Sequence, residues 1–154
     1  MTYQFIDYDP VLHAALDAWR SDDIAEFAMN EGIGSEWRYY IDAPEYQAGV
    51  DAFCKVVLLD DMPVAAMIVL CHPEYPVGIN PIIVDPARVG QGHCCAILRE
   101  FAENIEAILP GKRERIRVYI DNENIASVRA FAKAGFACVG EHPDGDGAYY
   151  ELEV

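Results

Sequence analysis

Past the middle of the chain, an apolar run, Ile82-Ile83-Val84, leads through Asp85-Pro86-Ala87-Arg88-Val89-Gly90-Gln91-Gly92 into a helical pattern that opens His93-Cys94-Cys95-Ala96-Ile97-Leu98. No other stretch restricts the backbone as much. Glycine accepts positive φ and lets main chain approach a ligand closely. The free N–H groups and positive dipole end of the following helix favour an anion. The chemistry that suits such a cradle is a pyrophosphate. Two glycines serve a plain strand-to-helix turn equally well, so context has to decide. The lysine and Ser/Thr of a P-loop are missing, and a dinucleotide fingerprint needs a third glycine within an early βαβ unit.

The rest of the chain supplies that context. Tyr3 to Tyr8 alternates and predicts a first strand, and Val11 to Arg20 and Asp22 to Met29 carry apolar residues at helical spacing. Asn30 to Gly49, rich in Gly, Tyr and acidic residues, predicts an ordered surface loop or broken helix. Phe53 to Leu59, Val64 to Cys71 and Val77 to Val84 predict a meander of three strands divided by turn residues. A helix from about Gly92 to Leu109, ended by Pro110-Gly111, precedes a strand from Arg115 to Ile120. Asn124 to Ala134 predicts another helix, with Gly135 where a left-handed cap needs glycine. Phe136 to Glu141 and Ala148 to Val154 then pair around Pro143-Asp144-Gly145-Asp146-Gly147. The expected class is a mixed α/β fold in the order β-α-α-β-β-β-α-β-α-β-β. With 154 residues and no linker-like stretch, residues 1–154 are read as one domain.

Composition narrows the partners. The 26 acidic residues against 11 basic ones give a formal net charge of −15, a field that repels nucleic-acid backbones and attracts cations. An amine or polycationic acceptor suits that field, although acidity also serves solubility. The N-terminus lacks the basic start and apolar run of a signal peptide, and no apolar stretch approaches the ~20 residues of a membrane span. A cytoplasmic setting without membrane partners is therefore expected. Five cysteines without CxxC spacing speak against a disulfide framework and a zinc ribbon, so reduced thiols and no metal are expected.

The glycine turn resembles the signature of the GNAT N-acetyltransferase superfamily, a strand ending in Val-x-Pro followed by Arg/Gln-x-x-Gly-x-Gly/Ala. Val84, Pro86, Gly90 and Gly92 fall in register, while Val89 replaces the first Arg/Gln and Cys94 the last small residue. Asn124-Ile125-Ala126-Ser127, followed by Phe131-Ala132-Lys133-Ala134-Gly135-Phe136, resembles the superfamily's Asn-x-x-Ala/Ser…Tyr-x-Lys-x-Gly-Phe. The two linked motifs and the strand order cover the chain from about Phe53 onward. Gly78-Ile79-Asn80, Gly135-Phe136 and the Pro143-Asp144-Gly145 turn are similar to the aminoglycoside 6′-N-acetyltransferase branch.

The resemblance implies a mostly antiparallel central sheet flanked by helices, with two central strands splayed beside the turn and acetyl-CoA lying along the exposed strand edge. It implies cofactor contacts at Ile82, Ile83, Val84, Val89, Gly90, Gln91, Gly92, His93, Cys94, Asn124 and Phe131. Most of these are backbone tasks, including an N–H near Ile82 or Val84 that polarises the acetyl carbonyl. Pro81 fits a bulge or unpaired edge, or else the end of a short strand. Arg88 and Arg99 are candidates for the nucleotide phosphates, or solvated charges.

Transfer to an amine needs a base for the ammonium and an acid for the thiolate. Here the sequence departs from the pattern. Phe131 stands where a tyrosine acid is common, and Asn80 stands where an aspartate is usual in the aminoglycoside branch, yet asparagine cannot act as a base. Asn80, Tyr149 and Glu36 are the catalytic candidates, with Tyr119 and Tyr150 as alternative acids. Asp42, Glu45, His72 and Glu74 are further bases that also read as surface residues. Trp37, Tyr39, Tyr40 and Tyr46 would wall the acceptor or pack over the sheet. Cys94 or Cys95 at a helix N-terminus would be reactive, or else buried packing. The expected activity is acetyl transfer to a small-molecule amine, with an acyl-CoA-binding protein of little catalysis and a protein N-acetyltransferase as alternatives. The resemblance also makes a homodimer an expectation.

Overall fold

The computed structural model describes residues 2–19, 45–47 and 49–154. Eight strands form one sheet: β1 (Gln4–Asp7), β2 (Glu45–Gln47), β3 (Val50–Leu59), β4 (Met62–Cys71), β5 (Val77–Val84), β6 (Arg115–Asp121), β7 (Ala137–Glu141) and β8 (Gly147–Glu153). Their order is β1-β3-β4-β5-β6-β8-β7, with β2 beside β3, and among the described strands β5 against β6 is the one parallel pair. The described helices are α1 (His13–Asp17), α2 (His93–Glu103), α3 (Ile105–Ile108) and α4 (Ile125–Lys133).

The sheet is covered on both faces, which explains why β4 reads as a continuous apolar run rather than an alternation. Ala65, Met67 and Val69 pack with Ile97, Leu98, Phe101 and Phe131 from α2 and α4. Ala66 and Ile68 pack on the other side with Leu16 of α1 and Trp19. Along β6 the alternation returns, with Ile116, Val118 and Ile120 buried beneath the helices and the intervening residues exposed.

Several elements differ from their expected limits. Val11 to Arg20 does not form one helix over its described part: a 3-10 turn, Pro10–Leu12, capped by Asp9, precedes a five-residue α1. The helix expected from Gly92 to Leu109 breaks at Asn104. Its side chain donates to the Glu100 carbonyl at 2.8 Å, competing with the helix backbone, and α3 restarts after it. Glu45–Gln47, within the expected loop, adds to the sheet as β2. The readings on Asp22 to Met29 and on 30–44 lie outside the described residues. No helix among the described residues is long and apolar enough to cross a membrane.

Candidate functional site

The site is built by a parting of strands. β5 pairs with β6 only at Val77↔Ile116 and Gly78↔Arg117, although β5 runs on to Val84 and β6 to Asp121. On its other side β5 stays paired with β4 to its end, through Ala65↔Val84. From Ile79 onward, one edge of β5 therefore has no strand partner among the described residues.

A bulge marks the place. Val69 pairs with Ile79 and Met67 with Ile82, so three steps along β5 answer two along β4, and Asn80 and Pro81 together oppose Ile68. Proline has no N–H to give a ladder, and at the bulge none is asked of it. Of the two readings of Pro81, the bulge is the one found; the strand continues three residues past it. Asn80 is exposed on this bulge.

At the C-terminal end of β5, Asp85 organises the turn. Its amide donates to the Val64 carbonyl at 2.9 Å, and its Oδ1 accepts from the Ala87 N–H at 3.0 Å, capping a 3-10 turn over Pro86–Arg88. Gly90 and Gly92 then take φ of +82° and +86°, the left-handed region that favours glycine. A Cβ at either would meet nothing within 4 Å, so conformation and not crowding selects glycine, and the space beside the turn is open. The first hydrogen bond at the start of α2 is from the Ala96 N–H to the Gly92 carbonyl at 3.2 Å. The N–H groups before it have no intrahelical acceptor. An open strand edge running into this cradle fits an extended pantetheine arm ending in a pyrophosphate.

Around the turn, side chains are turned to packing. The His93 ring is 6% exposed and its Nδ1 lies 2.8 Å from the Tyr3 hydroxyl, joining α2 to the start of the chain. Burial pushes the Cys94 thiol up to about 12, with Cys95 adding to the shift, and its side chain packs partly buried against the core, which favours the packing reading over the reactive one. Val89 is 65% exposed and Gln91 donates weakly to the Ala87 carbonyl. Arg88 sits 3.6 Å from Asp85, within reach of the turn. Arg99, in contrast, donates to the Lys133 carbonyl at the end of α4, which gives it a structural task.

On the far side of the parting, Asn124 caps α4, its Oδ1 accepting from the Ser127 N–H at 3.2 Å. Its side-chain amide N–H groups remain as donors. Phe131 is buried at 4% exposure and packs edge-to-face on Phe136 at 5.0 Å, so its ring belongs to the core beneath the sheet.

The opposite face of β6 and β8 carries the tyrosines. Tyr149 pairs across strands with Tyr119, their rings 5.7 Å apart, and both contact His142. The Arg117 guanidinium lies 5.8 Å from the Tyr149 ring and donates to Glu151. Desolvation, followed by Asp121, Asp146 and Asp144, holds the Tyr119 phenol above its ordinary range. Tyr150 points to the helical face instead, packed against the core. His72 and Glu74 lie beyond the other end of β5, with His72 Nδ1 accepting the Glu74 N–H at 3.1 Å. Glu36, Asp42, Trp37, Tyr39 and Tyr40 lie outside the described residues, and of Glu45 and Tyr46 only the strand is described.

Gly147 was read only as a turn residue, yet a Cβ there would meet the Tyr119 hydroxyl and the Ile120 carbonyl at 2.5 Å. No local signal separates it from Gly145, because the Tyr119 ring that lies over it comes from another strand.

No family model and no curated protein matches the chain by sequence. Solved structures do match it by fold. The aminoglycoside acetyltransferase AAC(6′)-Ib, in complex with paromomycin and acetyl-CoA, superposes with a TM-score of 0.78 at 16% identity, over 99% of this chain and 94% of that one. The fold is that of the GNAT acetyltransferases. A spermidine N-acetyltransferase SpeG chimera from Vibrio cholerae and hSSAT has a TM-score of 0.73 at 13% identity, over 98% of this chain and 95% of that one. The Campylobacter jejuni N-acetyltransferase PseH, in complex with acetyl-CoA, has a TM-score of 0.68 at 13% identity, over 99% of both chains. At these identities the likeness is one of GNAT fold, and the expected mostly antiparallel sheet flanked by helices is found.

Proposed function

We propose that this chain is an acetyl-CoA-dependent N-acetyltransferase acting on a small-molecule amine. The observation that carries the reading is the parting of β5 from β6 after Gly78, which leaves a free strand edge leading into the Gly90–Gly92 turn. When bound, acetyl-CoA supplies an acetyl group activated as a thioester. The backbone of Ile82, Ile83 and Val84 would hold the pantetheine arm, and the amides of Val89, Gly90, Gln91, Gly92, His93 and Cys94 the pyrophosphate. An N–H near Ile82 or Val84 would polarise the acetyl carbonyl. Asn124 would contribute its amide donors, and Phe131 an apolar wall from beneath.

The acceptor class rests on two supports. The chain carries a net charge of −15, and fold neighbours include a spermidine acetyltransferase and an enzyme bound to aminoglycosides. Asn80, Tyr149 and Glu36 are the side chains proposed around the amine, with Asn80 as a hydrogen-bonding group rather than a base. Isothermal titration with acetyl-CoA and CoA tests the cofactor. A thiol-release assay against aminoglycosides and polyamines then tests the acceptor. Absence of CoA binding would withdraw the reading.

A second reading, an acyl-CoA-binding protein with little catalysis, is favoured by Phe131 and Asn80 both lacking the expected proton-transfer groups, an acid and a base respectively. Binding without thiol release above background would select it. A cytoplasmic setting and a homodimer complete the proposal. Free cysteines support the first, and β7, exposed along its length at a sheet edge, supports the second. Light scattering of the purified chain tests the dimer.

A further inference from the structure

On the sheet face away from α2 and α4, the ends of β6 and β8 and the turn before β8 carry three rings in mutual contact. Tyr119 lies 5.7 Å from Tyr149 and 5.3 Å from His142, and His142 and Tyr149 are 5.8 Å apart. Gly147 makes the arrangement possible, since a side chain there would strike the Tyr119 phenol at 2.5 Å. Tyr119 nevertheless stays 46% exposed, so the cluster is open to a ligand.

Carboxylates surround these rings. Desolvation comes first among the causes that raise the Tyr119 phenol, and the charges of Asp121, Asp146 and Asp144 follow, so all three act on one ring. Among the described residues Asp121 and Asp146 form no ion pair, and Asp144 meets only the His142 imidazole, at 3.3 Å. A ring face with carboxylates beside it attracts an organic ammonium through the ring quadrupole and through charge together. The neighbouring ring already makes such a contact within the chain. Arg117 lies 5.8 Å from Tyr149 and is itself paired with Glu151 at 2.6 Å, whereas no Lys or Arg among the described residues stands over Tyr119.

The cluster sits beside the parted strands. Carried past Gly78↔Arg117, the β5–β6 register would set Asn80 opposite Tyr119. Asn80 opposes Ile68, which packs on the α1 side of the sheet, and Tyr119 lies on that side of β6 too, because Val118 and Ile120 take the helical side. We infer that the Tyr119–His142–Tyr149 cluster, with its rim of Asp121, Asp144 and Asp146, holds a second ammonium group of the acceptor, a step that rests on the acetyltransferase reading. The preferred acceptors are then diamines and polyamines rather than monoamines.

Putrescine is the probe, with n-butylamine as the monoamine control, each followed in ¹H–¹⁵N NMR spectra of the full chain at physiological salt. Putrescine should shift the amides of Tyr119, His142 and Gly147 saturably and bind about tenfold more tightly than butylamine. Tyr119→Phe keeps the ring and should bind as before. Tyr119→Leu removes the ring at unchanged charge and should weaken putrescine about fivefold, and Asp146→Asn should weaken it as well. In thiol release, Tyr119→Leu should raise the KM for putrescine with little change in kcat. Equal affinity for the two amines, shifts confined to other residues, or unchanged affinity and KM in Tyr119→Leu would overturn the proposal. Should Tyr119→Leu fail to fold, Asp146→Asn and the position of the shifts still decide. The amine titrations are made without CoA, so a failure to bind CoA withdraws the acetyltransferase reading and leaves their outcome separate.

Discussion

The Phe136 N–H donates to the Phe131 carbonyl at 3.0 Å while the two rings meet edge-to-face with centroids 5.0 Å apart. Together with the Gly135 N–H to the Ala132 carbonyl at 3.1 Å, this closes α4 in a Schellman motif with its hydrophobic contact. Gly135 supplies the φ of +103° that the motif needs. Phe131→Ala should therefore cost about 3–5 kcal/mol in urea unfolding, and Gly135→Ala about 1–2 kcal/mol from backbone strain alone. A loss below 1 kcal/mol for Phe131→Ala would contradict its burial.

The glycine turn predicts a loss of binding on top of a backbone strain of about 1–2 kcal/mol for a side chain at positive φ. Gly90→Asp or Gly92→Asp would set a carboxylate against the pyrophosphate site, with no neighbour to clash. Titration calorimetry should register loss of CoA binding in both variants. Unchanged affinity in either one rejects the turn as the cofactor cradle.

Asn124 has a capping task and a proposed cofactor task, and one substitution tells them apart. Asn124→Ala should lower stability by about 0.5–2 kcal/mol as a lost cap. Asn124→Asp keeps a capping oxygen but removes the amide donors. If the donors serve the cofactor, Asn124→Asp should weaken CoA binding severalfold while unfolding barely changes.

Two half-buried thiols add stability that is lost at alkaline pH. Burial raises Cys94 from 9.0 to about 12 and Cys54 to about 11, so the folded state keeps protons that the unfolded chain releases. Their contribution is fully present below pH 9 and is lost as pH rises from 9 through 11 to 12. Midpoints of urea unfolding should fall across that window, and less steeply in Cys94→Ala. At pH 7.5 a thiol reagent should modify exposed Cys138 well before Cys94 or Cys54.

Gly147→Ala should be among the most damaging changes outside the core, because the added methyl meets the Ile120 carbonyl and the Tyr119 ring at 2.5 Å. Trimming the obstacle with Tyr119→Ala relieves only the ring contact, so partial recovery in the double variant is expected. Thermal unfolding of both proteins measures it.

Much of this was legible in the sequence where one residue carries the reason locally. Gly135 reads as a helix stop and Gly90 and Gly92 as a strand-to-helix turn, and each sits so, while Asn124, read as the first helical residue, is the cap before it. Val77–Val84 was located to the residue, since Pro76 and Asp85 bound an apolar run. What failed depended on a single competing side chain or on strand pairing, neither of which marks the apolar pattern. The break at Asn104 comes from a single side chain competing inside an amphipathic pattern that continues past it. The β2 strand exists only because β3 starts at Val50 and offers an edge. The parting of β5 from β6 followed from resemblance alone, because register between strands more than thirty residues apart leaves no periodic mark.

The extra residue at Asn80-Pro81 also resets the phase of β5. Val77 and Ile79 face the helices before it, and Ile82 and Val84 face them after it, a spacing that strict alternation would not permit. The strand is consequently more sensitive to its length than to its composition. Removing either residue would turn Ile82 and Val84 toward α1 and Ile83 toward α2, inverting the lining of the proposed groove while leaving every side chain in it intact.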